Sequence, residues 1–288
     1  MKIQEGCDRY CAYCIIPSVR GGIRSRPLSA IAEEAAALAQ AGFQELVLTG
    51  IHLTSYGRDL DGKPGLAEAV KAACVPGVSR IRLGSLEPRV ATEAFAQALS
   101  ECAPVCPQFH LALQSGSDAV LRRMKRCYNT EQFRQAAARL RTAWPLAAFT
   151  TDVIVGFPGE TEEEFEETCS LVEQVGYDSA FTFIYSPRVG TRAADMPDQI
   201  PEEVSSRRIQ KLIALQKDVT HKRYANYIGQ VHSVLVEESS RRDENQMAGK
   251  NEYNITVNFP GDKSLIGQIV RVKITSAGES TLRGERVE

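Results

Sequence analysis

Three cysteines lie close together near the start of the chain, at Cys7, Cys11 and Cys14, with C-x3-C-x2-C spacing. Thiolates are ligands of iron–sulfur clusters, and three of them can hold three irons of a cubane [4Fe–4S] cluster. The fourth iron then has no protein ligand and is free to bind a substrate group. Structural zinc usually has four ligands in two separated pairs, and the sequence has no second C-x2-C pair. The spacing therefore favours a reactive cluster over a structural zinc site.

The first 200 residues alternate between short β-rich apolar runs and helical segments, which is typical of a parallel sheet built from βα units. Six strands are predicted, at Lys2–Glu5, Leu46–Thr49, Arg80–Leu83, Phe109–Leu113, Phe149–Val155 and Ala180–Tyr185. Helices are predicted at Pro27–Ala41, near Ala91–Glu101, at Ala119–Arg126, at Thr130–Trp144 and after Thr161. This pattern predicts an α/β fold, a partial (β/α)6 TIM-like barrel that is open along one side.

The pattern changes after two prolines, Pro197 and Pro201, where one long helix is predicted over Glu202–Arg223. Three alternating or β-branched runs follow, at Val231–Glu237, Tyr253–Phe259 and Gln268–Ile274. Their number and length predict a small all-β barrel of the kind that often handles single-stranded nucleic acid. We therefore divide the chain into a barrel domain (1–200), a connecting helix (201–224) and a β-barrel domain (225–288).

Polar and glycine residues follow several predicted strands, at the carboxyl ends where α/β barrels carry their active sites. The residues that we assign to ligand binding on this ground are Gly50, Ser85, Glu87, Gln114, Ser115, Asp152 and Gly156. His52 also follows a strand, although a lone histidine is more often a hydrogen-bonded structural residue. Each of these positions alone fits a simple turn equally well, so the prediction depends on their joint occurrence after a three-cysteine loop.

The composition is that of an ordinary soluble globular protein, with 43% apolar and 24% charged residues. No apolar run approaches the roughly 18 residues that a spanning helix needs, and no signal peptide is visible. These features predict a cytoplasmic protein without a membrane partner, in which the eight cysteines are reduced. The net charge of −2 provides no general attraction to nucleic acid, so any RNA contact must come from local patches.

The cysteine spacing also resembles the signature of the radical S-adenosylmethionine enzymes, with Tyr13 at the position where that signature has an aromatic residue. This resemblance implies that Cys7, Cys11 and Cys14 are both metal ligands and catalytic residues. It also implies that the open iron binds the amino and carboxylate groups of S-adenosylmethionine, and that Tyr13 and the residues at the strand ends contact this cofactor.

Longer motifs resemble one family of these enzymes, the methylthiotransferases. They include Gln4-Glu5-Gly6-Cys7, Leu113-Gln114-Ser115-Gly116-Ser117, Asp152 through Glu160, and Tyr185-Ser186 with Gly190-Thr191. The run Leu48–His52 is most similar to the branch that acts on N6-threonylcarbamoyladenosine beside the anticodon of tRNA. Residues 266–274 resemble a TRAM domain, a small RNA-binding barrel. The resemblance implies that sulfur and a methyl group are added to carbon 2 of the adenine after a radical has abstracted its hydrogen.

The resemblance also implies which partners the protein has and which part of the family pattern is missing. The partners are tRNA, S-adenosylmethionine and an electron donor such as flavodoxin or ferredoxin. Family members carry an amino-terminal domain with three further cysteines and a second [4Fe–4S] cluster. Here the other cysteines are scattered, and we expect them to be ordinary thiols: Cys74, Cys102, Cys106, Cys127 and Cys169. We therefore expect a fragment of a longer enzyme, with the second cluster only in a longer form.

A basic run is the best candidate for contact with RNA phosphates: Arg122, Arg123, Lys125 and Arg126. A solvated helix face is the alternative interpretation of such a run. Two other functions remain open, namely a related enzyme acting on another tRNA adenosine or on a ribosomal-protein aspartate, and an RNA-binding protein stabilised by zinc. The sequence contains no indication of an oligomeric state.

Overall fold

The structure, a computed structural model, describes residues 1–240, 243 and 245–287. The first domain contains seven strands: β1 (Lys2–Glu5), β2 (Arg24–Ser25), β3 (Glu45–Gly50), β4 (Arg80–Leu83), β5 (Gln108–His110), β6 (Ala148–Val155) and β7 (Ser179–Ile184). Its helices are α1 (Ile16–Arg20), α2 (Leu28–Gln40), α3 (Leu66–Ala73), α4 (Glu93–Ser100), α5 (Asp118–Arg123), α6 (Thr130–Ala143) and α7 (Glu162–Val175).

Six of these strands run parallel and form the wall of a partial barrel. The strand order is β2-β1-β3-β4 in one sheet and β5-β6-β7 in the other, and only the short β2 is antiparallel to its neighbour. Isolated parallel bridges, Ile81 with Val105 and Leu86 with Leu111, join the two sheets. The predicted six-stranded partial barrel is therefore confirmed, and β7 forms its free edge.

The barrel is held together by the apolar faces of the outer helices. Alternate residues of β4, Ile81 and Leu83, are buried in the main core with α2, α3 and α4 side chains such as Ile31, Val70 and Leu99. The other residues of each strand face the barrel interior, because successive side chains of a strand point to opposite sides. The interior face is the one that carries polar side chains, and it is therefore the face available for a site.

The long helix α8 (Glu202–Ala225) connects the two domains and packs on β7. After it come β8 (Val231–Ser239), β9 (Gln246–Asn251), β10 (Thr256–Pro260), β11 (Ile269–Ala277) and β12 (Thr281–Arg286). These five strands close into a barrel in the order β10-β12-β11-β8-β9. The prediction of an all-β barrel is confirmed. Among the described helices, none combines the length and apolar character of a membrane span.

Two buried arginines of β4 tie the barrel domain to the β-barrel domain. Arg80 donates hydrogen bonds to the carbonyl oxygens of Lys250 and Ser233 at 2.8 and 2.5 Å. Arg82 donates to the carbonyl oxygens of Asn251 and Glu252 at 2.6 and 3.0 Å. Both arginines point to the interior face at the amino-terminal end of β4. The β-barrel domain therefore covers the end of the partial barrel opposite to the cysteine loop.

Candidate cofactor site

The cysteine loop lies between β1 and α1 and is attached to the surrounding structure by its backbone. The Cys7 amide donates to the Gly21 carbonyl oxygen at 3.0 Å, and the Ala12 amide donates to that of Met124 at 2.9 Å. Gly6 has φ +72°, and a Cβ there would lie 1.8 Å from the Gly22 carbonyl oxygen. Only glycine fits this close approach. The loop is thus placed by neighbouring backbone and not by the cysteines themselves.

The three thiols lie close enough to influence one another. Burial raises the pKa of Cys7, and negative charge on Cys11 or Cys14 would raise it further. Donors compensate for this crowding: the Arg9 amide donates to Cys7 Sγ at 3.4 Å, and Arg126 Nη1 donates to Cys11 Sγ at 3.1 Å. Charge-assisted donors of this kind stabilise thiolates. Three converging sulfurs with positive groups around them are a chemically suitable donor set for a [4Fe–4S] cluster.

A buried ionic cluster supports the loop from the end of β4. The Glu87 carboxylate lies 3.1 Å from Arg9 Nη2, 3.3 Å from Arg126 Nη2 and 3.6 Å from His52 Nε2. Burial alone would raise the pKa of Glu87, but the nearby His52 ring and the charges of Arg126 and Arg9 outweigh it and lower that pKa. Glu87, predicted as a cofactor ligand, is therefore an ionised partner of the two arginines that donate to the cysteine loop.

A cavity of about 410 Å³ opens beside the loop and brings together three of the predicted residues, Tyr13, Gln114 and Asp152. Gln114 is 7% exposed and has φ +69°, a left-handed conformation that is strained for glutamine. Its amide group has no hydrogen-bond partner among the described residues. Because Gln114 lines the cavity, a ligand there could form hydrogen bonds with this amide group. Gln114 is the strongest candidate for cofactor contact.

The other four predicted residues lie elsewhere. Ser85 is exposed. Ser115 is fully buried against Thr168 and the amide of Ser117, so its hydroxyl group serves the turn. A Cβ on Gly50 would lie 2.9 Å from Gln4 and Leu53, and one on Gly156 would lie 2.3 Å from Ser205 Oγ. The Ser115 hydroxyl group is therefore occupied within the protein. Gly50 and Gly156 are needed for close packing on the side where a Cβ would lie, and contact between their backbone and a ligand stays a prediction.

The basic run is also divided by the fold. Arg126 is buried at the cysteine loop, and Arg123 pairs with Glu164 and donates to the Gly159 carbonyl oxygen. Only Arg122 and Lys125 are exposed. Arg123 and Arg126 are thus paired with carboxylates within the protein, so Arg122 and Lys125 are the better candidates for contact with RNA phosphates, and this contact stays a prediction.

Among the remaining cysteines, Cys74 and Cys102 lie beside each other as free thiols, and burial together with Cys102 raises the pKa of Cys74 to about 12. Cys106 and Cys169 are buried, whereas Cys127 is exposed and accepts a hydrogen bond from Arg9 Nη1 at 3.6 Å. Near the loop, the ligand atoms of Cys7, Asp8 and His52 all lie within 4.8 Å of one another. His52 Nδ1, however, is engaged by the Ser55 hydroxyl group.

Two residues beside the site were not predicted from the sequence. Arg9 lies within the cysteine loop and contacts Cys7 and Glu87, and His110 contacts Asp152 through Nε2 at 3.1 Å. Arg9 lies inside the C-x3-C motif, and this position in the sequence could have indicated that it lies at the site. His110 lies on the interior face of β5, three residues before the predicted end of that strand, and only the barrel geometry shows that Asp152 is its neighbour.

Two known protein families match parts of this chain. Residues 1–172 match the Radical SAM superfamily, and residues 225–287 match the TRAM domain. The chain belongs to the radical SAM superfamily. Members of this superfamily use a [4Fe–4S] cluster and S-adenosylmethionine, so the cofactor prediction is confirmed at the level of the superfamily.

Curated relatives of this radical SAM chain include enzymes named tRNA-2-methylthio-N(6)-dimethylallyladenosine synthase. The one from Symbiobacterium thermophilum is 45% identical over 296 residues, which cover 100% of this chain and 63% of the relative. The one from Carboxydothermus hydrogenoformans is 44% identical over 285 residues, which cover 99% of this chain and 65% of the relative. The chain thus spans less than two thirds of the length of these relatives.

Solved structures share the radical SAM fold at low identity. The methyltransferase TsrM from Kitasatospora setae, solved with cobalamin and a [4Fe-4S] cluster, has a TM-score of 0.55 and 17% identity, covering 67% of this chain and 38% of its own. Coproporphyrinogen III oxidase (HemN) from Escherichia coli has a TM-score of 0.53 and 18% identity, covering 76% and 51%. At these identities the likeness extends to the fold alone.

Proposed function

We propose that this chain forms the radical SAM and TRAM domains of an enzyme that adds a methylthio group to an N6-modified adenosine beside the anticodon of tRNA. The observation that carries the proposal is the convergence of Cys7, Cys11 and Cys14 beside the cavity of Tyr13 and Gln114. The named relatives, at 44–45% identity over 99–100% of the chain, supply the reaction class.

We assign Cys7, Cys11 and Cys14 as the ligands of a [4Fe–4S] cluster. Bound together, such a cluster and S-adenosylmethionine supply reductive cleavage of the sulfonium and hydrogen abstraction. The protein contributes position and charge: Arg126 and the Arg9 amide donate to sulfurs, and Glu87 holds both arginine side chains. Gln114 supplies an unpaired amide group to a ligand in the cavity. Tyr13 lines the same cavity and contributes to the exclusion of water from it.

Metal and sulfide analysis tests the assignment of the cysteines. Protein reconstituted with iron and sulfide in the absence of oxygen is expected to hold one [4Fe–4S] cluster and to form 5′-deoxyadenosine from S-adenosylmethionine and a reductant. Cys11→Ala is expected to lose both properties, while the matched control Cys127→Ala, which removes an exposed thiol near the loop, keeps them. Bound zinc without acid-labile sulfide would contradict the proposal and support the zinc-stabilised RNA-binding alternative.

The identity of the target adenosine is the finer part of the proposal. The motif Leu48–His52 resembles the threonylcarbamoyl branch, whereas the curated relatives carry the dimethylallyl name. Anticodon stem-loops with either N6 group and deuterium at carbon 2 separate the two, because only the true substrate transfers deuterium into 5′-deoxyadenosine. A tRNA substrate implies action in the cytoplasm, with an electron donor such as flavodoxin or ferredoxin. Transfer from a ribosomal-protein peptide alone would contradict the tRNA proposal.

A further inference from the structure

Two phenylalanines on the edge strand β7 are exposed, although large apolar side chains are usually buried. Phe181 and Phe183 are 54% and 50% exposed, and their backbone register places them opposite Asp152 and Ile154 of β6. Ala180 and Thr182, the alternating residues, line the space between β7 and α8. The two rings therefore face the barrel interior, where the described residues leave them uncovered. Adjacent exposed aromatic rings are typical of a surface that binds something.

Hydrogen-bonding groups lie directly beside these rings. The His110 ring lies 6.0 Å from the Phe181 ring, centroid to centroid. His110 Nε2 lies 3.1 Å from Asp152 Oδ2, and its Nδ1 lies 3.0 Å from Thr150 Oγ1. The Asp152 side chain is 30% exposed, so one carboxylate oxygen can accept a hydrogen bond from a ligand. Aromatic faces next to polar edges are what single-stranded RNA recognition uses for a base that has been turned out.

This surface is continuous with the cofactor cavity. Asp152 and Phe183 line that cavity together with Tyr13 and Gln114, and Tyr13 is adjacent in sequence to Cys14. A flat ring lying against Phe181 and Phe183 would therefore have its edge at this cavity. A purine base fits this position better than a protein segment, because the aromatic rings that can stack lie directly beside the hydrogen-bonding groups of His110 and Asp152.

We infer that Phe181 and Phe183, with His110 and Asp152 at their side, form the subsite that receives the target adenine base after it leaves the RNA stack. In this subsite Phe181 stacks on the base, and Asp152 forms hydrogen bonds with the base and not with S-adenosylmethionine. The inference rests on the proposed function, whose RNA substrate it locates.

A binding cycle tests the inference without any turnover. Affinities are measured for an anticodon stem-loop with the target adenosine and for the same stem-loop with an abasic site there. For the wild-type chain, loss of the base is expected to weaken binding about tenfold, since stacking of one base on an aromatic ring has this order of effect. For Phe181→Ala the two RNAs are expected to bind alike, while Phe181→Tyr keeps the discrimination.

Phe43→Ala is the matched control, since Phe43 is 56% exposed in the connection between α2 and β3. It is expected to keep the wild-type ratio. If the wild-type chain does not distinguish the two RNAs, the proposed function fails. If it does and Phe181→Ala distinguishes them equally well, the inference about β7 is overturned. A Phe181→Ala protein with an unchanged ratio but a changed oligomeric state would show that another protein chain covers Phe181 and Phe183. This result would also overturn the inference.

Discussion

Glu87 connects the cysteine loop to the end of β4 through the guanidinium groups of Arg9 and Arg126. Its side chain is 2% exposed, so the charges that surround it are largely removed from water. Neither arginine could remain buried at low cost without this carboxylate, because an unpaired buried charge is strongly unfavourable. The position of the loop thus depends on one acidic residue that is not a ligand of the cluster.

Replacing Glu87 by Gln keeps the shape of the side chain and removes its charge. We expect the free energy of unfolding to fall by about 3 kcal/mol, because two buried cations lose their partner. Denaturant unfolding of the anaerobic protein measures this change. Glu101→Gln is the control, because it removes only an exposed ion pair with Lys71 at 3.8 Å. We expect it to lower the free energy of unfolding by about 0.5 kcal/mol or less.

The pH dependence of this difference has a definite sign. Glu87 has a lowered pKa in the folded state, so its stabilisation is fully present above the ordinary value of 4.5 and is lost as the pH falls through the lowered pKa. The gap between wild type and Glu87→Gln should therefore shrink in acid. A gap that widens below pH 4.5 would contradict the ion-pair explanation.

At the scale of elements, the end of β6 is fitted against α8. Gly156 follows β6 with φ +71°, and Ser205 of α8 fills the space where a Cβ would lie. Arg208, one turn later on α8, pairs with Glu160 at 2.8 Å, and both side chains are buried. The motif from Asp152 to Glu160, in which Asp152 and Gly156 are predicted to bind a ligand, therefore packs against α8 in its second half.

Gly156→Ala is expected to be destabilising for two reasons that can be separated. A left-handed alanine costs about 1–2 kcal/mol, and the contact with Ser205 adds about 1–3 kcal/mol. Gly42→Ala is the control for the first part, since Gly42 has φ +90° and nothing lies within 4 Å of its Cβ position. In thermal unfolding, adding Ser205→Gly to Gly156→Ala should restore part of the stability that Gly156→Ala loses. Additive effects of the two changes would mean that the contact is unimportant.

How much the sequence predicts differs between elements. The long helices α2, α6 and α8 lie close to their predicted bounds, because proline, capping residues and apolar spacing act locally. Strands β9 and β12 were missed, since each contains a glycine that reads as a turn. Both glycines are required by close strands: a Cβ on Gly249 or Gly284 would lie 2.2 or 2.4 Å from a carbonyl oxygen.

In the site, the cysteine loop and Gln114 could be predicted because they lie in recognisable runs at strand ends. The partners of Glu87 could not, since Arg9, His52 and Arg126 come from three separate parts of the chain. The exposed rings of β7 could not be predicted either, because alternation along a strand does not tell which face remains uncovered at the edge of an open barrel.

At the scale of the whole molecule, Arg80 and Arg82 make the two domains one unit. Their guanidinium groups form hydrogen bonds to backbone oxygens of the β-barrel domain and lie 3.5 and 2.9 Å from the Glu45 carboxylate. Their side chains are only 5% and 4% exposed, so these interactions are hardly weakened by water.

Replacing Arg82 by Met should uncouple the domains. The Asn251 and Glu252 carbonyl oxygens lose their donor, so calorimetry is expected to resolve two unfolding transitions, whereas a single transition is expected for the wild type. Arg89→Met, which changes an exposed arginine of the Pro88–Val90 turn, is the control and should keep a single transition. An Arg82→Met protein that unfolds in one step at the wild-type midpoint would show that other contacts join the domains.

The attachment of the β-barrel domain to the amino-terminal ends of β3 and β4 affects the path by which a nucleotide would enter and leave the barrel. Gln44 also donates to the Gly267 carbonyl oxygen at 2.7 Å, so this end of the barrel is closed across two strands. Under the proposed function, a base that enters past β7 would meet the covered end of β3 and β4 ahead of it. It would then leave by the route along which it arrived, and release of the product would have to precede binding of the next substrate.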